Sequence, residues 1–401
     1  MIIEMLTRCQ ELVCNIFLCQ FFKVGVIFFL VFIGEIMKTS LIFNKILYVF
    51  SFLFLCSCFN VNAASYKLID LGLLSYDASV VTGINNRGQV TGVYVKDSKH
   101  YVFFWDKTLK CTRVYNADGA KINNNSNIFG SYLAEKCYSS ASSSYCFHAG
   151  EQRQIFSWHP IQSDKYQSLG SPLTIDFRDF ALTIWDTNDI DQVLVMDTDV
   201  IDLQKARKTR GQGIQTWVYH NGVFNLLKSE KITGALRINN NSKILAWHYV
   251  MDGWFCSKVE TVIYDYNTKE TKVLDFEDSA YGMDINDKNQ VVGVFFDQGQ
   301  VKGFFGDPQG SDFIVLDNIQ AKSVNNRGQI LGTFSSGANK DKYVIWDQGK
   351  ETKLSEISLV DNEGHLWQSL DTLVDINDQG QIIGEGIYKG KSLSFLLEPV
   401  E

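Results

Sequence analysis

The chain has 401 residues, of which 45% are hydrophobic and 20% are charged, a balance that is ordinary for a soluble globular protein. Only 4 prolines and 13% aromatic residues argue against disorder. From Ser65 onward there are 33 Lys and Arg residues (37 minus 4) and 42 Asp and Glu residues (45 minus 3), a net charge of −9. This charge disfavours a nucleic-acid partner, because phosphate binding depends on positive charge.

The first 64 residues differ in character from the rest and predict an export signal. A positively charged start at Met37 and Lys38 precedes an apolar stretch over residues 46–58 and the small residues Ala63 and Ala64. This is the pattern of a secretory signal peptide. We therefore predict a signal peptide over residues 37–64, cleaved after Ala63 or Ala64, with residues 1–36 as upstream read-through and Met37 as the start.

Two alternatives for this segment stay open. The apolar runs at residues 24–34 and 46–58 could form a membrane hairpin, but each is shorter than the roughly 20 residues that a spanning helix needs. The sequence Leu-Cys-Ser-Cys at residues 55–58 loosely resembles a lipobox, which would anchor a lipoprotein through Cys58. After signal removal we expect a secreted or periplasmic protein without a membrane span, with a lipoprotein anchored through Cys58 as the alternative.

Four cysteines lie outside the leader, at Cys111, Cys137, Cys146 and Cys256. An even number in an exported protein favours disulfides. Cys137 and Cys146 bracket a Ser-rich stretch, so we predict a local bridge between them, with free thiols or a metal site as the alternatives. No His or Cys stands beside them at zinc-like spacing. The pairing of Cys111 and Cys256 is left open, and no metal or cofactor is predicted.

The strongest signal is a phrase that recurs seven times, most clearly as Ile-Asn-Asn-Arg-Gly-Gln-Val-Thr-Gly at residues 84–92. Its first Asn falls at Asn85, Asn123, Asn188, Asn239, Asn286, Asn325 and Asn377. The spacings are 38, 65, 51, 47, 39 and 52 residues. Repeats of roughly 40–50 residues are typical of four-stranded propeller blades, with insertions in the longer units.

Within each unit the phrase predicts a tight hairpin between two strands. Three residues after the Asn stands Gly or a small polar residue, as expected where φ is positive. These residues are Gly88, Ser126, Asp191, Ser242, Asn289, Gly328 and Gly380. The side chain of the leading Asn is expected to bond the backbone of its own turn.

A third strand rich in bulky residues and a fourth strand complete each unit. The aromatic residues of the third strand, as in Phe103-Phe104-Trp105, predict packing between blades. Residues 66–71 look like a fourth strand without a unit before it, while the last unit ends near Leu397 without a fourth strand. We therefore predict an all-β fold, a seven-bladed β-propeller over residues 65–401, closed by the N-terminal strand completing the last blade.

The repeat resembles the bacterial extracellular HAF repeat. The resemblance rests on Asp-Leu-Gly-Leu-Leu at residues 70–74, on the Asn phrase, and on His-Tyr-Val-Phe-Phe-Trp at residues 100–105. It spans about residues 66–398, although units two to four are degraded and units five to seven lack the His. It implies an exported, repeat-built β protein and brings no catalytic residues.

The long insertions are expected on the face opposite the hairpin turns, where loops on a rigid scaffold usually carry function. They cover residues 131–153, 170–180, 198–213 and 358–371. Their candidate binding residues form a basic cluster, an acidic cluster and a mixed set: Lys205, Arg207, Lys208 and Arg210; Asp176, Arg178 and Asp179; Asp361, His365 and Trp367. Together with Glu363, the last set combines acids, a titratable ring and an aromatic platform suited to a sugar-binding rim.

Two functions follow from this distribution. The first is a non-catalytic exported scaffold, expected to be a monomer, that binds a protein or a glycan through the long-loop face. The alternative is a propeller enzyme, a polysaccharide hydrolase or lyase, with carboxylates such as Asp176, Asp179, Asp197 and Asp199 near the central funnel. No nucleophile elbow, metal-binding helix or phosphate-binding Gly loop is present, so the first function is favoured.

Overall fold

Each copy of the phrase joins the first two strands of its own four-stranded antiparallel sheet. The computed structural model describes residues 65–109, 112–115, 117–138, 147–163, 165–172, 182–197, 215–252, 255–308, 313–337, 342–354 and 357–400. These residues form 28 strands in seven sheets, with no helix among them, and the sheets are the blades of a seven-bladed β-propeller. The sequence prediction of the fold is confirmed.

The first three blades follow one another along the chain. Blade 1 contains β2 (Ala78–Ile84), β3 (Val90–Lys96), β4 (Lys99–Trp105) and β5 (Thr112–Tyr115). Blade 2 contains β6 (Ala117–Ile122), β7 (Ile128–Tyr138), β8 (Phe147–Trp158) and β9 (Gln167–Gly170). Blade 3 contains β10 (Leu182–Thr187), β11 (Val193–Asp197), β12 (Thr216–His220) and β13 (Val223–Leu226).

The next three blades repeat this order. Blade 4 contains β14 (Gly234–Ile238), β15 (Lys243–Asp252), β16 (Phe255–Asp265) and β17 (Thr271–Val273). Blade 5 contains β18 (Ala280–Ile285), β19 (Val291–Asp297), β20 (Gln300–Gly306) and β21 (Ile314–Leu316). Blade 6 contains β22 (Ile319–Val324), β23 (Ile330–Phe334), β24 (Tyr343–Asp347) and β25 (Lys350–Lys353).

The two ends of the chain meet in blade 7. This blade contains β26 (Ser369–Ile376), β27 (Ile382–Tyr388), β28 (Lys391–Val400) and, as its outermost strand, β1 (Ser65–Asp70). β1 pairs antiparallel with β28, from Ser65 opposite Val400 to Asp70 opposite Phe395. The predicted closure is confirmed, and it covers the edge that β28 would otherwise expose.

The core lies between blades rather than within one central cluster. Consecutive residues of a strand point to opposite faces, so Phe103 packs in the cluster of blades 7 and 1 while Phe104 packs in the cluster of blades 1 and 2. Both rings are fully buried. The third-strand aromatics are therefore inter-blade packing, as predicted.

We call the end of the ring that carries the Asn turns the turn face and the opposite end the loop face. The backbone φ angle is positive at all seven predicted turn positions, for example 72° at Gly88 and 67° at Ser126. On the loop face, the stretch 131–153 was expected to be a loop, but strand pairing continues to Tyr138 opposite Phe147. Strand pairing of β7 and β8 therefore extends farther into this stretch than the sequence suggested.

Candidate functional site

The leading Asn of each turn bonds within its own hairpin. In the last-but-one turn, the Asn325 Oδ1 accepts the backbone N–H groups of Arg327 at 3.1 Å and Gln329 at 3.0 Å. This is the turn bonding that the sequence predicted. The seven leading Asn side chains are all buried.

The same side chains also join each blade to the next, which the sequence did not predict. The Nδ2 group of every leading Asn donates to the backbone oxygen of the leading Asn in the following blade, at 2.8 to 3.0 Å, and blade 7 returns to blade 1. These seven bonds form a closed ring around the axis. We call it the Asn ring.

A second ring lies beside the first and uses the next residue of each turn. Its members are Asn86, Asn124, Asp189, Asn240, Asp287, Asn326 and Asp378. The backbone N–H of each donates to the Oδ1 of the next, at 2.7 to 2.9 Å, again around the full circle. Amide groups of this ring also bond its carboxylates, as Asn240 does to Asp189 and Asp287. The Asn or Asp at this position in every unit was the sequence signal for the second ring.

Just inside the rings, charged residues face the axis. Every first strand carries a register shift near its end, for example between Ile184 and Asp186 in β10 and between Ala235 and Arg237 in β14. A bulge of this kind redirects a side chain. Residues two positions before the leading Asn then line the channel: Gly83, Lys121, Asp186, Arg237, Asp284 and Asp375, with Ser323 at the equivalent position of blade 6. All but Gly83 and Ser323 are ionisable.

The polar side chains of the channel form hydrogen bonds and ion pairs with one another and with nearby backbone groups. The Asp284 carboxylate contacts Arg237 Nε at 3.3 Å and accepts the backbone N–H groups of Ile285 and Val324 at 2.9 Å. The Ser323 hydroxyl lies 2.8 Å from Asp284 and 2.6 Å from Asp375, so its single proton serves one of them at a time. Lys121 Nζ donates to the backbone oxygen of Thr82, next to Gly83, which has no side chain to place in the channel.

Burial perturbs the titration of this cluster. It raises the pKa of Asp284 to about 6, because the Arg237 guanidinium only partly offsets the desolvation and the Asp375 carboxylate adds to it. Burial also lowers the pKa of Lys121, helped by the charge of Arg237. Perturbed groups in a channel mark a candidate site. Here, however, both Asp284 oxygens already hold partners, and the cavity encloses only about 170 Å³.

Most of the predicted loop-face residues lie outside the described part of the chain. This applies to Lys205, Arg207, Lys208 and Arg210, and also to Asp176, Arg178, Asp179 and Asp199. Asp197 is described and buried, at 3% exposure. The side chains of the predicted Cys137–Cys146 bridge, the whole of the leader and Cys111 also fall outside the description, whereas Cys256 is an exposed free thiol.

The structure does describe Asp361, His365 and Trp367, and it corrects the role expected of Trp367. This ring is 1% exposed and packs edge-on against Phe395, with centroids 5.8 Å apart. It therefore cannot serve as a platform for a sugar. Its Nε1 donates to the Asp361 carboxylate at 3.0 Å, and His365 Nδ1 lies 3.2 Å from the same carboxylate oxygen.

The segment 361–365 is an eighth copy of the turn, which the sequence analysis missed. The Asp361 N–H donates to the His365 oxygen and the Gly364 N–H to the Asp361 oxygen, as in the seven Asn turns. Asp361 Oδ1 accepts the N–H groups of Glu363 and His365 at 3.0 and 2.9 Å. The signal was present as Val-Asp-Asn-Glu-Gly-His, but an Asp replaces the leading Asn and the spacing from its neighbours is irregular.

An exposed apolar surface lies on the loop face at blades 4 and 5. It consists of Tyr249, Met251, Tyr281 and Phe296, with 37%, 43%, 38% and 40% of their surfaces exposed. The rings of Tyr281 and Phe296 meet at 6.3 Å. Met251 lies opposite Cys256 in the β15–β16 pair, and the pKa of Tyr281 is raised by burial and by the charges of Cys256 and Tyr249. We call this surface the aromatic patch.

Comparison with known proteins finds the fold and no family. No family model matches the chain, and no curated protein matches it. The oligogalacturonate lyase of Vibrio parahaemolyticus is similar in structure, with a TM-score of 0.53 and 9% identity over 84% of this chain and 97% of that one. The propeller domain of the Trilobed protease from Pyrococcus furiosus has a TM-score of 0.52 and 13% identity, over 81% and 96% of the two chains.

A third similar structure is the acylaminoacyl peptidase of Pyrococcus horikoshii, at 12% identity and a TM-score of 0.47. The match covers 78% of this chain and 51% of the peptidase, so the chain spans about half the length of that protein. At these identities the comparisons show the propeller fold alone. Among the described residues, no helix is long and apolar enough to cross a membrane.

Proposed function

We propose that the protein is a non-catalytic binding scaffold that holds a partner on its loop face. The observation that carries this proposal is the aromatic patch, because large exposed apolar surfaces commonly mark interaction sites. The turn face offers less free surface for a partner, because the first two side chains of each Asn turn are already bonded in the two rings. Aromatic residues and Met are enriched at protein interfaces, so a protein partner is favoured over a glycan.

The extended hairpins of blades 2 and 4 support the same face. β7 and β8 reach 11 and 12 residues, and β15 and β16 reach 10 and 11, against 7 in each of β3 and β4. The second to third strand connection lies at the loop face, so these hairpins project there. A partner bound to the aromatic patch would also contact the blade 4 hairpin, because Tyr249 and Met251 lie in β15 of that hairpin.

The test compares the patch with an exposed apolar residue on the turn face. Double substitution of Tyr281→Ser and Phe296→Ser should abolish capture of proteins from extracts of the producing cells, whereas Ile190→Ser should leave it unchanged. Ile190 is a suitable control because it is 50% exposed within the third Asn turn. Capture by the double variant equal to that by the unsubstituted protein would contradict the proposal. If the unsubstituted protein binds a glycan array and the double variant does not, the partner is a glycan rather than a protein.

The alternative, a propeller enzyme, finds its best support in the raised pKa of Asp284 within the channel. Against it stands the bonding of that carboxylate, which leaves neither oxygen open to a substrate. Single replacement of Asp176, Asp179, Asp197, Asp199 and Asp284 separates the two functions, because a scaffold has no polysaccharide turnover to lose. Loss of turnover with binding retained would favour the enzyme.

We also propose export and relationship to the HAF-repeat proteins. Both rest on the leader and on the repeated phrase in the sequence. Mass measurement of the mature protein from the medium and the periplasm tests export. A mature chain that starts at Ala64 or Ser65 supports it, a lipidated Cys58 supports the lipoprotein alternative, and a chain that retains Met37 contradicts both.

A further inference from the structure

The eighth turn has a carboxylate where the seven repeats have an amide. In an Asn turn, Oδ1 accepts two backbone N–H groups and Nδ2 donates to the next blade. In the eighth turn Asp361 Oδ1 does the same work within the turn. The Oδ2 atom of Asp361 takes the place of Nδ2, and as a carboxylate oxygen it cannot donate to a neighbouring blade. Instead it faces Trp367 Nε1 at 3.0 Å and His365 Nδ1 at 3.2 Å.

A second carboxylate reaches the same place from the other end of the chain. Asp70 ends β1, and its Oδ1 accepts the Gly72 N–H at 2.8 Å. The Asp70 N–H donates to Asn362 Oδ1 at 2.8 Å, which fixes the end of the strand against the eighth turn. Leu68 also forms a parallel bridge with Asp361. Ligand atoms of Asp70, Asp361 and His365 all lie within 4.8 Å of one another.

Both carboxylates are oriented before any ligand arrives. One oxygen of each is tied by backbone N–H groups, and the Trp367 indole bonds the second oxygen of Asp361. Hydrogen bonds of this kind orient the ligands of metal sites. The His365 side chain is 39% exposed and the Asp361 side chain 0% exposed, so an ion would enter from the His365 side.

We propose that Asp70, Asp361 and His365 bind a divalent transition metal of the zinc class, which fastens the closing strand β1 to the eighth turn. One imidazole and two carboxylates match the donors and number of an open zinc site, in which water takes the fourth position. Calcium is disfavoured because it takes six to eight oxygen ligands. The ion would link Asp70, at the end of the first strand, to Asp361, just before the first strand of the last blade. It would therefore stabilise the closed ring, independently of what the aromatic patch binds.

The experiment measures thermal unfolding of the purified full chain after chelation, with and without ZnCl₂. Metal that binds only the folded state should raise the Tm, by about 3 °C or more at 100-fold excess over Kd. Asp70→Asn and His365→Gln should each abolish this rise. Asp70→Asn keeps the Oδ1 that accepts the Gly72 N–H, so its fold should persist. Co²⁺ should give one ligand-field spectrum per chain, which both variants lose.

Glu363→Gln is the matched control, because Glu363 lies in the same turn outside the three ligands. It should retain the full zinc response and the Co²⁺ spectrum. The proposal is overturned by an unchanged Tm with zinc, by an equal rise in Asp70→Asn and His365→Gln, or by a rise with calcium that zinc does not give. An equal rise in all variants would place the metal on other ligands, such as the cysteines.

Discussion

The turns that begin at Asn325 and at Asp361 have the same backbone bonds but opposite uses for their second side-chain atom. Asn325 extends its Nδ2 to the oxygen of Asn377 in the next blade, at 2.8 Å. Asp361 turns its second oxygen toward His365 and Trp367 of its own loop. On the turn face the motif joins blades, and on the loop face it gathers polar groups beside the closing strand. One local structure therefore serves assembly at one end of the ring and a candidate metal site at the other.

This contrast also explains why regularity is a poor guide to function here. The Asn ring needs every member in the same place, since one missing donor opens the circle. The loop face has no such constraint, so blades 2 and 4 extend their hairpins and blades 4 and 5 expose the aromatic patch. The predictions below test how far assembly depends on the regular parts, beginning with the largest effect.

Removal of residues 66–71 should cause the largest loss of stability. It uncovers the edge of β28 and removes Leu68, Ile69 and Leu71, which are 1%, 8% and 0% exposed. Burying three such side chains contributes about 5 kcal/mol or more to the free energy of unfolding. Calorimetry should show a Tm lower by many degrees. Lys67→Ala on the same strand serves as the control, and an unchanged transition in the deletion would refute closure by β1.

Gly293→Ala should destabilise the native state by about 1–3 kcal/mol, because the new Cβ overpacks the blade. This Cβ would lie 2.2 Å from the Tyr281 oxygen and 2.7 Å from the Phe304 ring. Blade 4 has Ala246 at the same position, where the facing third-strand residue is Val262 instead of a Phe. Urea unfolding of Gly293→Ala and Ala246→Gly compares the two blades. Equal small effects would show that the close contact with Tyr281 and Phe304 is not the reason for a glycine at position 293.

Asp284 should make stability depend on pH. Its pKa is about 6 in the folded protein, above the usual value of 3.8, so the folded state binds more protons between these values. Stability from this group is therefore present below about pH 4 and lost as the pH rises to about 6. Relative to Asp284→Asn, the unsubstituted protein should lose about 2 kcal/mol between pH 4 and 7.

Urea titrations of both proteins at pH 4.5 and pH 7 measure this change. A constant difference between them would show that Asp284 titrates in the folded state as it does in water. A difference that grows in favour of the unsubstituted protein at pH 7 would show that the ion pair with Arg237 outweighs the burial.

The repeat predicted much of the fold because its physics is local. Positive φ at Gly88 and its six equivalents, the bulky third strands and the orphan strand at residues 66–71 are all visible in the sequence. The blade count, the four strands per blade and the closure followed from them. The extent of β7 and β8 did not, since strand pairing here depends on tertiary context rather than on local composition.

The sites were harder to predict because they depend on distances between remote residues. Nothing local shows that Asp70 lies beside His365, or that Tyr281 lies beside Tyr249. Trp367 was expected on a binding rim because aromatic and acidic residues cluster in its segment. The ring is instead buried against Phe395, a contact made by a strand that follows it by more than twenty residues.

The most direct test of the account is Asn325→Asp, which keeps the backbone bonds within the turn and removes the donor to the next blade. Asp keeps the Oδ1 that accepts the N–H groups of Arg327 and Gln329. It places an oxygen against the Asn377 oxygen, and against Gln329 Oε1, to which the Asn325 Nδ2 also donates at 2.9 Å. If the ring joins blades, urea unfolding at pH 7 should show a loss of about 1–2 kcal/mol. Gln379→Glu adds the same charge at an exposed site on this face and should cost less than about 0.5 kcal/mol. Equal stability of Asn325→Asp and the unsubstituted protein would contradict the account, because the Asn would then serve its hairpin alone.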